Sequence, residues 1–259
     1  MFLDAESLTV ELQGTNAVLT LNRPEKRNVL SAAMMSSILS ELAKIGASKD
    51  IRTVTIASSG TVFSAGHDLS ELAGRNADEY QRVFDLCSEM MLALQSIPQP
   101  VIAEVQGLAS AAGCQLVAAC DLAVASTSAR FATPGVKIGL FCTTPMVPLV
   151  RTIGRKRAME MLLTGTFVSS ETALLWGLVN RVVPPERLRE TTNAFAGLIA
   201  AASHDTLAIG KRAFYHQVCM DEAGAYSAAK QVMADNAATE NAQEGISAFL
   251  SKRNPVWRP

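Results

Sequence analysis

The 259 residues predict an α/β protein, and three observations carry that prediction. Short alternating or β-branched runs recur at 7–12, 16–21, 53–57, 100–105 and 121–125. Between several of them lie stretches whose apolar residues repeat at three- and four-residue steps, the period of an amphipathic helix. The links are brief, and strand and helix alternating over short links is the pattern of a layered α/β core.

The first two runs, Ser-Leu-Thr-Val-Glu-Leu and Asn-Ala-Val-Leu-Thr-Leu, flank Gly14 and read as a hairpin. A polar loop over 22–28 follows. Met34, Met35, Ile38, Leu42 and Ile45 then mark a helix over 31–45, with Ser31 as its N-cap. The strand 53–57 runs into Ser58-Ser59-Gly60 and then into Phe63-Ser64-Ala65-Gly66-His67-Asp68. Val83, Leu86, Cys87, Met90, Met91 and Leu94 place a helix over 78–96, stopped before Pro98 and Pro100. The strand 100–105 leads to small residues over 107–113 and an apolar helix over 114–119; 121–125 is a strand again. Residues 186–202, 205–217, 222–238 and 241–252 are Ala-rich and helical. No Gly-, Ser- or Pro-rich linker separates them, so the chain reads as one sequence domain: a core over 1–185 with a helical C-terminal subdomain over 186–259.

Composition narrows the function. Twenty-three basic and 24 acidic residues leave a net charge of -1, which favours neither a nucleic-acid nor a membrane-surface partner. No apolar stretch approaches the ~20 residues of a membrane span. The five cysteines (Cys87, Cys114, Cys120, Cys142, Cys219) are scattered, without metal-binding or redox spacing, and fit a reducing compartment. The acidic first residues resemble neither a secretory signal nor an Arg-rich transit peptide, so a cytoplasmic location is expected.

Two segments share one design: a strand, small-residue backbone, then a helix start. They are 63–68 and 107–113. Small residues let the main chain approach a ligand closely, and a helix start offers unpaired N–H donors. Two such donors aimed at one point would form an oxyanion hole. Two ordinary tight turns would carry the same residues, so the spacing alone leaves both readings open.

A longer series of motifs resembles the crotonase (enoyl-CoA hydratase/isomerase) superfamily over essentially the whole chain. It runs Asn22-Arg23-Pro24-x-x-x-Asn28, Phe63-Ser64-Ala65-Gly66-His67-Asp68-Leu69, Val105-x-Gly107-x-Ala109-x-x-x-Gly113-Cys114 and Cys120-Asp121-Leu122-Ala123. It continues through Phe131-x-x-Pro134-x-x-x-x-Gly139, Leu163-Thr164-Gly165, Ala173-x-x-x-Gly177-Leu178-Val179 and Glu244-Gly245-Ile246-x-Ala248-Phe249-x-x-Lys252-Arg253. Within the superfamily, the stretch 131–145 is similar to the subgroup of mitochondrial enoyl-CoA hydratase domain-containing protein three.

The resemblance implies a spiral of ββα units with a C-terminal helical region that forms trimers, often paired into hexamers. It implies an acyl-CoA thioester as ligand and no separate cofactor. Carried over by position, the oxyanion donors are the main-chain N–H groups of His67 and Ala112. The family usually has Gly at the second place, and alanine keeps the donor wherever its backbone angles are not Gly-like. The His67 ring is expected at the surface or in packing, and His204 and His216 have no role. Lys26, Arg27 and Lys252 are candidates for the coenzyme's phosphates, with Ala65, Asp68 and Leu69 alongside. Asp68 and Asp121 are expected to brace their turns.

Both acid/base positions are degenerate: Gln115 and Gly135 stand where a hydratase of this superfamily carries glutamates. Glutamine exchanges no proton near neutral pH, and each lost acid or base costs about 10²–10⁴-fold. Thr143 stands where dienoyl isomerases carry a carboxylate. Decarboxylating members do without these acids, and the run Ala65-Gly66-His67-Asp68 resembles theirs. Cys142, Thr144, Glu71 and Glu89 are the remaining polar candidates near the pocket. Three functions follow: a thioester enzyme working through its oxyanion hole, a non-catalytic acyl-CoA binder, or a scaffold.

Overall fold

The computed structural model describes residues 7–258. Residues 1–6, part of the stretch behind the no-leader expectation, lie outside them. The chain opens with the expected hairpin, β1 (Leu8–Gln13) paired antiparallel with β2 (Asn16–Leu21). Helix α1 (Ala32–Gly46) begins at Ser31, whose hydroxyl accepts from the Met34 N–H, and it buries the five apolar residues that predicted it.

Three strand–strand–helix units follow. The first is β3 (Thr53–Ser58), β4 (Val62–Ser64) and α2 (Ala77–Ser96). The second is β5 (Val101–Val105), β6 (Leu108–Ser110) and α3 (Ala112–Ala119). The third is β7 (Leu122–Ser126), β8 (Arg130–Ala132) and α4 (Thr143–Ile153). Helix α5 (Arg155–Thr164), β9 (Val168–Ser169), α6 (Ser170–Trp176) and β10 (Arg181–Val183) complete the core. Each unit sends its long, largely buried strand into one sheet and its short strand into another. The long strands form a six-stranded sheet in the order β1-β2-β3-β5-β7-β10; the short ones form a four-stranded sheet, β4-β6-β8-β9. Between successive units the pairing is parallel in both sheets. That is the winding of a spiral. The buried runs at β3 and β5 read as near-continuous apolar strands because both faces are covered.

Four helices end the chain: α7 (Leu188–Ala200), α8 (His204–Gln217), α9 (Glu222–Ala237) and α10 (Glu240–Leu250). Residues 186 and 187, expected at the start of the first of them, belong instead to a separate 3-10 turn, Pro185–Arg187. Helix α7 packs on the large sheet, where Leu188 and Ala196 meet Ile102 and Val124. Helices α8–α10 pack on one another, and α8 also on α2.

Asp121 fastens α8 to the core. One carboxylate oxygen accepts from the Val101 N–H at 2.7 Å and pairs with Lys211 Nζ at 2.7 Å; the other accepts from Tyr215 Oη at 2.8 Å. Lys211 also donates to the carbonyls of Leu94 and Gln99. Burial pushes the Lys211 ammonium below its ordinary pKa, with Asp121 pulling it back. Near the end of the chain, Arg253 binds both oxygens of Glu244, and Trp257 Nε1 donates to the Ala201 carbonyl.

Candidate functional site

The site is built where the first two strand–strand–helix units lie side by side. β4 and β6 run parallel, so the loop leaving β4 and the start of α3 meet at one end of the small sheet. The approach is close. A Cβ added at Gly66 would sit 3.1 Å from Ala112 N, 3.0 Å from the Ser110 carbonyl and 2.9 Å from Ala111 Cβ. Gly66 has a φ of 96°, so both its conformation and its contacts require glycine.

Several main-chain donors around this junction are engaged. Ala65 N–H donates to Arg27 O, Gly66 N–H to Ser64 Oγ, and Ala111 N–H to Ala132 O. The N–H groups of His67 and Ala112 have no acceptor among the described residues. Ala112 opens α3, so its N–H is one of the orphan donors of a helix start. Its own conformation is helical; the Gly-like angles fall one residue earlier, at Ala111 (φ 50°, ψ -119°).

The first loop closes over the same junction. Asn28 is fully buried. Its Oδ1 accepts from Arg23 N–H, and its Nδ2 donates to the carbonyls of Ser59 and Val62. The Leu30 N–H bonds Gly66 O, which ties the loop to the residue before His67. Lys26 and Arg27 stand exposed on this loop. Asp68 caps the turn that follows, its carboxylate accepting from the Ser70 hydroxyl and N–H. The Ser70 hydroxyl does most to hold the Asp68 pKa below its ordinary value, and Lys26 and Arg23 add to the effect. Ala65 is half-buried and Leu69 exposed beside them. Lys252 follows α10, a helix that packs on α8 and α9, and nothing in one chain joins it to Lys26 or Arg27.

The His67 ring is not a surface group. It packs edge-on against Phe84 of α2, with centroids 5.5 Å apart, and both ring nitrogens are buried without a partner. Burial lowers its pKa; the Leu30 carbonyl, outside hydrogen-bond geometry, works the other way. One turn along α2, Cys87 Sγ lies 3.9 Å from Gln115 Oε1 on α3. Gln115 itself is 3% exposed. Sequence reasoning gave Phe84 and Cys87 no part here; their i, i+3 spacing on α2 was the available signal.

Gly135 lies in a 3-10 turn over 134–138. A Cβ there would fall 2.0 Å from the Leu140 carbonyl oxygen and 2.8 Å from Cys142 Sγ. The backbone has closed over the position of the second acid. Among the other candidates, Glu71 is committed to the N-terminus of α1, accepting from Ala32 N–H at 2.8 Å. Glu89 is exposed on α2, and Thr143 is exposed at the start of α4. Burial raises the Cys142 thiol, so it is not poised as a nucleophile. Two cavities stand apart from this junction: about 370 Å³ between α8, α9 and α10 and the following segment at Trp257, and about 160 Å³ between the first hairpin and α7.

Comparison with known proteins matches this architecture throughout. Residues 11–259 fit the family model described as enoyl-CoA hydratase/isomerase. A rat protein named enoyl-CoA hydratase domain-containing protein 3, mitochondrial, is 48% identical over 240 residues, covering 92% of this chain and 80% of the relative. The crystal structure of its human namesake superposes with a TM-score of 0.95 at 46% identity, over 97% of this chain and 100% of that one. An enoyl-CoA hydratase structure from Mycobacterium smegmatis gives the same TM-score and identity, over 97% and 98%. The crotonase fold is therefore the fold of this protein, and the chain belongs to the enoyl-CoA hydratase/isomerase family.

Proposed function

We propose that the main-chain N–H groups of His67 and Ala112 hold the thioester oxygen of an acyl-CoA and stabilise the enolate that forms from it. The observation that carries this reading is the pair of unused donors at the β4/α3 junction, brought close together where Gly66 lies against the start of α3. Donors fixed before charge develops need no reorganisation, and removing one such donor typically costs about 10²–10³-fold in turnover. The family needs no cofactor beyond the coenzyme A its substrate brings.

Lys26 and Arg27, with Ala65, Asp68 and Leu69, form the mouth through which the coenzyme would enter. Lys252 would join them from a neighbouring copy in a trimer or a pair of trimers. Exposed Met233, Phe249 and Leu250 on α9 and α10 support such an assembly, because apolar side chains left open on a helical surface favour burial. The helical segment from residue 186 onward is the part we assign to it. A cytoplasmic location, or the mitochondrial matrix in a eukaryotic cell, suits a chain with no helix long and apolar enough, among its described residues, to cross a membrane.

A second reading has its own support. With Gln115 in one acid position and no room for a side chain at Gly135, the site lacks the two-carboxylate apparatus for adding water. Binding without turnover, or decarboxylation, which makes an enolate without a base, fits those walls.

Ala112→Pro tests the proposal. Proline suits the first position of a helix, removes the N–H and puts its ring Cδ where that hydrogen pointed. Turnover of whichever enoyl-, malonyl- or hydroxyacyl-CoA the wild type accepts should fall about 10²–10³-fold with the circular dichroism unchanged. Full activity in this variant would sink the oxyanion assignment; tight thioester binding with no turnover in the wild type would favour the second reading.

A further inference from the structure

We infer that Gln115 selects CoA thioesters carrying a hydrogen-bond-accepting oxygen on the acyl β carbon, a 3-oxoacyl or malonyl-type group, by donating to it from Nε2. The inference rests on the thioester reading above and adds the substrate class.

Helix geometry puts the side chain in position. Gln115 lies three residues after Ala112, on the same face of α3. Side chains on a helix lean toward its N-terminus, so Gln115 reaches back over the turn that presents the Ala112 N–H. Its Oε1 faces Cys87 on α2 at 3.9 Å. Burial pushes the Cys87 pKa up to about 12, so the thiol keeps its proton and is the donor in that contact. The amide oxygen is turned to that thiol, which leaves Nε2 on the other side of the amide. The Nε2 group then faces away from α2. It has no acceptor among the described residues, and unlike the His67 ring nitrogens it is not sealed from solvent.

A donor with no protein acceptor is free to meet a ligand oxygen placed against it. The nearby carboxylates do not oppose such an oxygen. Glu71 is held at the start of α1, Asp68 is turned to Ser70, and Glu89 is exposed on α2. Where a glutamate would present an acceptor, this chain presents a donor. The polarity of the wall is reversed.

Titration calorimetry with acetoacetyl-CoA, malonyl-CoA, 3-hydroxybutyryl-CoA and butyryl-CoA tests this on the wild type and on Gln115→Leu. The wild type should bind acetoacetyl-CoA or malonyl-CoA about tenfold tighter than butyryl-CoA, the equivalent of about 1.4 kcal/mol. Gln115→Leu should erase that ratio while leaving butyryl-CoA affinity nearly unchanged. Preference for acetoacetyl-CoA alone identifies a ketone, and for malonyl-CoA alone a carboxylate. Equal affinities in the wild type, or a preference for 3-hydroxybutyryl-CoA, overturns the inference. If Gln115→Leu does not fold, Gln115→Glu replaces it: it should weaken malonyl-CoA more than butyryl-CoA, and an equal effect on both overturns the inference. Butyryl-CoA binding without preference defeats this inference alone; no binding of any thioester defeats the thioester reading with it.

Discussion

At the scale of single residues, the junction is held by side chains and angles that are individually unfavourable. Ala111 adopts φ 50° and ψ -119°, a region L-residues enter at a cost of order 1–3 kcal/mol. It does so because its N–H must reach Ala132 O while the next residue begins α3. Replacing it by glycine removes that strain and adds back about 0.5–1 kcal/mol of backbone entropy. Ala111→Gly should therefore raise stability by about 1 kcal/mol, seen as a higher urea midpoint; a lower midpoint would show that the alanine methyl is needed for packing. Asn28 works in the opposite sense. Its amide satisfies three main-chain groups at once, and it is the reason an exposed polar loop can lie so firmly on the core.

At the scale of elements, the decisive segment is the turn over 134–138 with the residues that follow it. The Leu140 N–H bonds Gly135 O, and the Leu140 carbonyl fills the place a side chain at 135 would need. Gly135→Ala should lower stability by about 1–3 kcal/mol, the usual cost of forcing atoms into a packed region. Restoring both missing acids, as Gln115→Glu with Gly135→Glu, should yield no hydration of crotonyl-CoA; measurable hydration would mean the turn opens readily. Much of this architecture was legible beforehand. The buried strands at 53–57, 100–105 and 121–125 announce themselves through β-branched and apolar runs, and α1 through its Ser31 cap. The short strands of the small sheet were not. Three-residue strands such as β6 and β8 carry no period to read, and the stretch from 126 to 185 alternates helix and strand too briefly. The motifs pointed to His67, Ala112, Gln115 and Gly135, but not to what lies around them. Contacts between distant segments, such as Leu140 on Gly135 or Cys87 on Gln115, leave no trace in local spacing.

For the molecule as a whole, one buried ionic hub joins the helical end of the chain to the spiral. Lys211→Met would strand the Asp121 carboxylate and two carbonyls, and breaking a buried pair from one side costs about 3–5 kcal/mol. A shift in the urea midpoint worth less than about 1 kcal/mol would show that Tyr215 and the Val101 N–H satisfy Asp121 without the lysine. The same hub imposes an order of assembly. Asp121 becomes a receptor for α8 only once β5 lies beside β7, because the Val101 amide orients it, and Lys211 needs the carbonyls at the end of α2 and just past it. The polar anchor of α8 is therefore complete only where the preceding turns of the spiral have closed.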